Sequence, residues 1–183
     1  MTAEATCAET VIGADEFRRA MRMQAAAVSL LCTELHGSRY GIAVTSLTGL
    51  TAEPPQILVC VNRTASVHAP ILARGAFSIN VLAQPHLGLA KAFGGELPPS
   101  ERFARGSWTE SRGGLPLLRG ALLAAEAELV QTAEVATHTV LIGRLKEVDI
   151  QNGEPLLFLN RSYGAFDSVF PARTDALLDG SFY

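Results

Sequence analysis

Three hydroxyl side chains, Thr45, Ser46 and Thr48, open one stretch of this sequence, and Asn62, Arg63, Thr64 and Ser66 close it. Pro54-Pro55 and an apolar run, 57–61, lie between them. Hydroxyls, an amide and a guanidinium hold polar or anionic ligands through hydrogen bonds and charge. Other chemistries leave no mark. There is no GxSxG, HExxH, P-loop or GxGxxG, so nucleophile-elbow, zincin and Rossmann sites are disfavoured. The histidines, at 36, 68, 86 and 138, form no pair at ligand spacing, and no metal site is expected. Cys7, Cys32 and Cys60 are an odd count without CxxC spacing, which suits a reduced, cytoplasmic protein.

These residues must be carried by an element pattern that is mostly β. Residues 1–13 read as a flexible tail and 14–28 as a helix, with Asp15 and Glu16 at its start. "VSLLCTEL" follows as a strand and "HGSR" as a hairpin turn. Strands are expected over 40–48 and 56–62, a short helix over 65–74 ending at Gly75, and a strand over 76–82. A helix over 85–93 has Pro85 in its first turn. Two long strands, a turn at Asn152-Gly153 and one last strand in "EPLLFLNRSYGAF" complete the domain, 14–168. Residues 169–183 read as a C-terminal arm against a partner subunit. Seven or eight consecutive, turn-linked strands with few helical crossovers favour a mainly β fold, an antiparallel barrel.

Composition agrees with a single folded domain. Of 183 residues, 48% are hydrophobic and 18% charged, and the net charge is −3. That balance excludes disorder and gives no footprint for nucleic acid. No apolar run approaches the roughly 18 residues of a membrane span. The residues alone support an antiparallel β-barrel with a ligand-binding stretch.

The order of motifs resembles the short-chain flavin reductases, the reductase components of two-component flavin-dependent monooxygenases. The similar branches are the reductases of 4-hydroxyphenylacetate hydroxylation and of pyrimidine utilisation. The likeness runs through "FRRAMRMQAAAVSLLCTE", "GIAVTSLTGLTAEPPQILVCVNRTAS", "FSINVL", "LAKAFGG", "ERFARGSW", "THTVLIGRL" and "FLNRSYGAF", across 16–167. It implies an FMN-binding split β-barrel of Greek-key type, a homodimer, FMN or FAD as flavin, and NADH or NADPH as hydride donor. Reduced flavin would pass to a separate monooxygenase. The other readings on this barrel are a flavin enzyme acting on a bound organic or corrinoid substrate, or a non-catalytic flavin- or haem-binding protein.

The resemblance also assigns expectations to residues. Asn62, Arg63, Thr64 and Ser66 would hold the flavin phosphate, and Thr45, Ser46 and Thr48 the ring edge. Phe93, Arg102 and Phe103 would close the flavin's other end. His138 and Tyr163 would flank the nicotinamide, with His138 the one candidate for a proton role. Strand alternation puts Ser46 and Thr48 on one face and Thr45 on the other. Plainer roles stay open: β-formers at 45–48, a surface cation at Arg63, an N-cap at Ser66, a structural His138, loop packing at Arg102 and Phe103, and core or interface at Trp108. The chain departs from the family at Ala43, where Thr is common, at Gly49, where Ser is common, and at Gly164, where close relatives carry His.

Overall fold

The computed structural model describes residues 12–167. Most of the expected tail, with Cys7, and the expected C-terminal arm lie outside the described residues. Helix α1 (Ala14–Met21) leads to a two-residue strand β1 (Ala26–Ala27). The expected helix over 14–28 therefore stops early. Ala25–Ala27 are good helix formers, but β1 pairs with a late hairpin through Ala26 opposite Phe158, and tertiary pairing overrides propensity.

The chain then forms β2 (Ser29–Leu35) and β3 (Ser38–Val44), joined by a turn in which His36 and Gly37 have φ of 53° and 79°. The expected strand 40–48 is interrupted: β3 ends at Val44, and β4 (Thr48–Ala52) is separate. β5 (Pro55–Asn62) returns beside β4. Helix α2 (His68–Arg74) starts three residues later than expected and stops at Gly75, whose φ of 69° suits glycine. Its N-cap position is Val67, without a side-chain cap, so Ser66 is not the N-cap. β6 (Ala76–Val81) follows, then a 3-10 turn, helix α3 (Leu87–Lys91) and a π-turn to Glu96. Short strands β7 (Trp108–Glu110) and β8 (Pro116–Leu118) pair with each other.

Two long strands, β9 (Leu123–Val135) and β10 (His138–Ile150), make one hairpin. The expected single last strand is two, β11 (Leu156–Leu159) and β12 (Ser162–Ala165), turned at Asn160 and Arg161.

Seven strands form one antiparallel sheet in the order β3-β2-β6-β9-β10-β5-β4. Its edge strands, β3 and β4, are consecutive in the chain and joined by three residues, so the sheet curls until its edges approach. The expected barrel holds, with its seam at residues 45–47. Inside lie Leu31, Val59, Val61, Phe77, Ile79 and Leu141. A second cluster on the outer face packs Leu30, Leu82, Phe93, Leu117 and Leu156. Each fully buried aliphatic or Phe side chain contributes about 1.5–3 kcal/mol. None of the described helices is long and apolar enough to cross a membrane.

Candidate functional site

The seam is built by Ser46. Its Oγ donates to the Cys60 carbonyl at 3.0 Å and accepts from the Cys60 amide at 3.2 Å. A side chain thus continues the ladder that backbone pairing leaves at Thr48 opposite Leu58. The Ser46 hydroxyl, expected at a ring edge, is engaged with β5 while the residue still lines the seam groove. Strand alternation also fails here, since Thr45 and Ser46 lie between strands. Thr45 and Thr48 are exposed; Thr48 makes only a long contact, 3.4 Å, to the Gly49 carbonyl.

A groove of about 520 Å³ runs along the seam, lined by Thr45, Ser46, Thr48, Ser29 and Val81. Ser29 was expected only as part of a strand. Its Oγ is buried and has no hydrogen-bond partner among the described residues. Burying an unpaired hydroxyl is unfavourable. The signal in the sequence is slight: one hydroxyl in a strand whose first five residues are all buried. A second pocket, about 240 Å³, shares Thr45 and is lined by Ala43, Gly94, Phe158 and Tyr163. Ala43 gives that part of the wall a methyl group and no hydroxyl. Tyr163 meets Phe158 edge-on at 5.1 Å, and its phenol is shifted up by burial and then by the nearby Glu96 charge.

The other end of β5 holds the expected anion-binding residues. Asn62 Oδ1 accepts from the Thr64 amide and hydroxyl, each at 2.9 Å. The Arg63 amide donates to the Thr137 carbonyl, and the Ala65 amide to the Asn62 carbonyl. These bonds fix the turn and engage the amides of Arg63, Thr64 and Ala65 within the protein. The Arg63 guanidinium and the Ser66 hydroxyl remain exposed. Arg63 pairs with Glu134 at 3.1 Å. His138, also exposed, stands opposite Asn62 in the β5–β10 ladder, with its Nδ1 2.9 Å from the Thr137 hydroxyl. Within one protomer His138 therefore joins the Asn62 group, and Tyr163 joins the Thr45 group; the structure does not bring the two together.

Phe93 and Arg102, expected at the flavin's other end, are buried in the protein. The Arg102 guanidinium donates to the Gly41 carbonyl at 2.8 Å and the Leu97 carbonyl at 3.2 Å. Burial lowers its affinity for its proton. Phe93 lies 5.1 Å from Phe103 and 5.8 Å from Trp108, ring to ring, in an aromatic cluster behind β3. They stiffen the wall that carries Thr45.

The same fold recurs in solved structures. Residues 21–167 match the family described as "Flavin reductase like domain", and the chain belongs to it. The FMN reductase (NADH) RutF 2 of Methylorubrum extorquens is 39% identical over 153 residues, 83% of this chain and 89% of that protein. The 4-hydroxyphenylacetate 3-monooxygenase reductase component of Pseudomonas aeruginosa is 33% identical over 150 residues, 80% and 88% of the two chains. The structure of the flavin reductase PheA2 in its native state superposes with a TM-score of 0.79 at 26% identity, covering 86% of this chain and all of the other.

The residues present fit a flavin. The seam groove is within the usual size range of small-molecule sites. Ser29 supplies a buried hydroxyl that the protein itself leaves unpaired, beside the exposed hydroxyls of Thr45 and Thr48.

Proposed function

We infer that this chain is an NAD(P)H-dependent flavin reductase that delivers reduced flavin to a separate monooxygenase. Family membership supports the class, and the unpaired Ser29 hydroxyl on the seam groove is the observation that carries the reading. A bound flavin would supply the hydride acceptor for a nicotinamide donor, and that chemistry belongs to the cofactors. The chain's own task is to bind and orient. Ser29, Thr45 and Thr48 offer hydrogen bonds to the ring edge, and Ser46 holds the seam that presents them. Arg63 and Ser66 offer a cation and a hydroxyl to the phosphate, with Asn62 and Thr64 shaping their turn. Tyr163 borders the nicotinamide from the Thr45 side and His138 from the phosphate side, a split that a homodimer closes if each protomer contributes one of them. The setting is cytoplasmic. NADH is the preferred donor and FMN the preferred flavin, after the names of the similar reductases.

The test mixes purified protein, NADH and excess FMN without any oxygenase and follows NADH absorbance. Multiple turnovers per protein are expected. Stoichiometric flavin binding with no NADH oxidation would replace the enzyme reading with a binding protein.

A further inference from the structure

A third pocket adjoins the seam. It measures about 300 Å³ and shares Thr45 with the two others. Three guanidinium side chains, Arg18, Arg22 and Arg161, line it, and no acidic residue does. This stands out in a chain of net charge −3. Arg18 is tied to Asp15. Arg22 is half-buried, and no ion pair among the described residues engages Arg22 or Arg161. The two are far apart in sequence. The Asn160 amide donates to the Arg22 carbonyl at 2.9 Å, which clips the end of α1 to the β11–β12 turn and sets Arg161 beside it. Phe17 and Met21 on α1 line the same pocket and are largely exposed, at 54% and 48%.

Free guanidinium groups beside exposed flat and thioether surfaces suit a phosphate next to a purine. The shared Thr45 puts that pocket next to the groove assigned to the redox ring. We propose that it takes the adenosine diphosphate half of a dinucleotide whose redox ring lies at the seam. This rests on the flavin reductase reading. That dinucleotide is NAD(P)H, because the flavin's own phosphate is assigned to Arg63 and Ser66 at the other end of β5. The sequence motifs did not absorb these arginines, because positions 22 and 161 come together only through the hairpin.

The test is titration of the full chain with 5′-ADP, followed by calorimetry. Wild type is expected to bind ADP, with affinity falling as salt rises. Arg22→Gln and Arg161→Gln are each expected to weaken binding about tenfold, one charge-assisted hydrogen bond apiece, and Arg22→Lys to weaken it less. Steady-state kinetics then identifies the source. If ADP competes with NADH at saturating FMN, and both variants raise KM for NADH, the occupant is the nicotinamide dinucleotide. If ADP competes only with FAD and the variants erase only a preference for FAD over FMN, the nicotinamide assignment is overturned and the flavin phosphate moves from Arg63 to this pocket. Arginine-dependent ADP binding without flavin reduction would uphold the pocket and remove the reductase reading. Absent ADP binding in a protein that oxidises NADH with FMN would overturn the proposal. So would ADP affinity equal to wild type in the double variant, or a double variant that only changes oligomeric state.

Discussion

The guanidinium of Arg63 lies 3.1 Å from the carboxylate of Glu134, across 71 residues of sequence, with both side chains largely in water. An exposed pair of this kind contributes at most about 1 kcal/mol. A phosphate arriving at Arg63 must displace or share with Glu134. Glu134→Gln is therefore expected to tighten FMN binding by up to about fivefold, the equivalent of that pair, while riboflavin, which lacks the phosphate, is unaffected. Fluorescence titration with both flavins measures this. Equal tightening of both, or weaker FMN binding, would place the phosphate elsewhere.

Ser29 carries a prediction with two opposite signs. Its buried hydroxyl has no partner in the protein alone, and such a group costs about 1–3 kcal/mol. Ser29→Ala is expected to raise the flavin-free denaturation midpoint or leave it unchanged. The same change is expected to weaken flavin binding about fivefold to tenfold, the loss of one hydrogen bond. Chemical denaturation and flavin titration on one preparation measure the two effects. A variant that is destabilised and binds flavin normally would make Ser29 a structural residue.

How far such features show in the sequence depends on whether their cause is local. On β5, Ile57, Val59 and Val61 alternate with less buried neighbours, and the strand was plain. On β2 both faces are covered, so Ser29 carries no alternation that would mark it. The end of α1 was hidden because its rival is a pairing with Phe158, far along the chain. The β11–β12 turn was missed because Asn160 and Arg161 take φ of 47° and 65° without a glycine. Motif order carried the family. The hydrogen bonds of Ser46 and Arg102 and the burial of Phe93 were not legible, because a motif names residues without saying what already occupies their hydrogen bonds or covers their faces.

Gly41 is where the aromatic wall meets β3. A Cβ there would sit 2.7 Å from Phe93 Cε1, and 3.0 Å from both Cys32 Sγ and Phe103 Cζ. Its carbonyl also receives Arg102. Gly41→Ala is expected to destabilise by about 1–3 kcal/mol through overpacking and to weaken flavin binding as the strand carrying Thr45 shifts. Gly164→Ala is the control, since nothing lies within 4 Å of its added carbon; its stability should stay within about 0.5 kcal/mol of wild type. Urea midpoints distinguish the two. A neutral Gly41→Ala would mean that the cluster behind β3 is loose enough to yield.

Tyr163 predicts an alkaline limit. Burial raises its phenol first, and the Glu96 charge adds to that. In the unfolded chain a tyrosine ionises near about pH 10. The folded state holds the proton longer, so between the two values it binds more protons than the unfolded state. Stability contributed by this group is then complete below about pH 10 and is lost as pH rises through the higher folded value. Tyr163→Phe is expected to flatten that decline, and Glu96→Gln to soften it by removing the smaller cause. Thermal denaturation across the alkaline range, comparing the three proteins, checks the sign. The phenol also faces the Thr45 pocket, so if it donates there, NADH oxidation by wild type should fall over the same alkaline window. A decline in stability identical in Tyr163→Phe and wild type would assign the alkaline limit to another group.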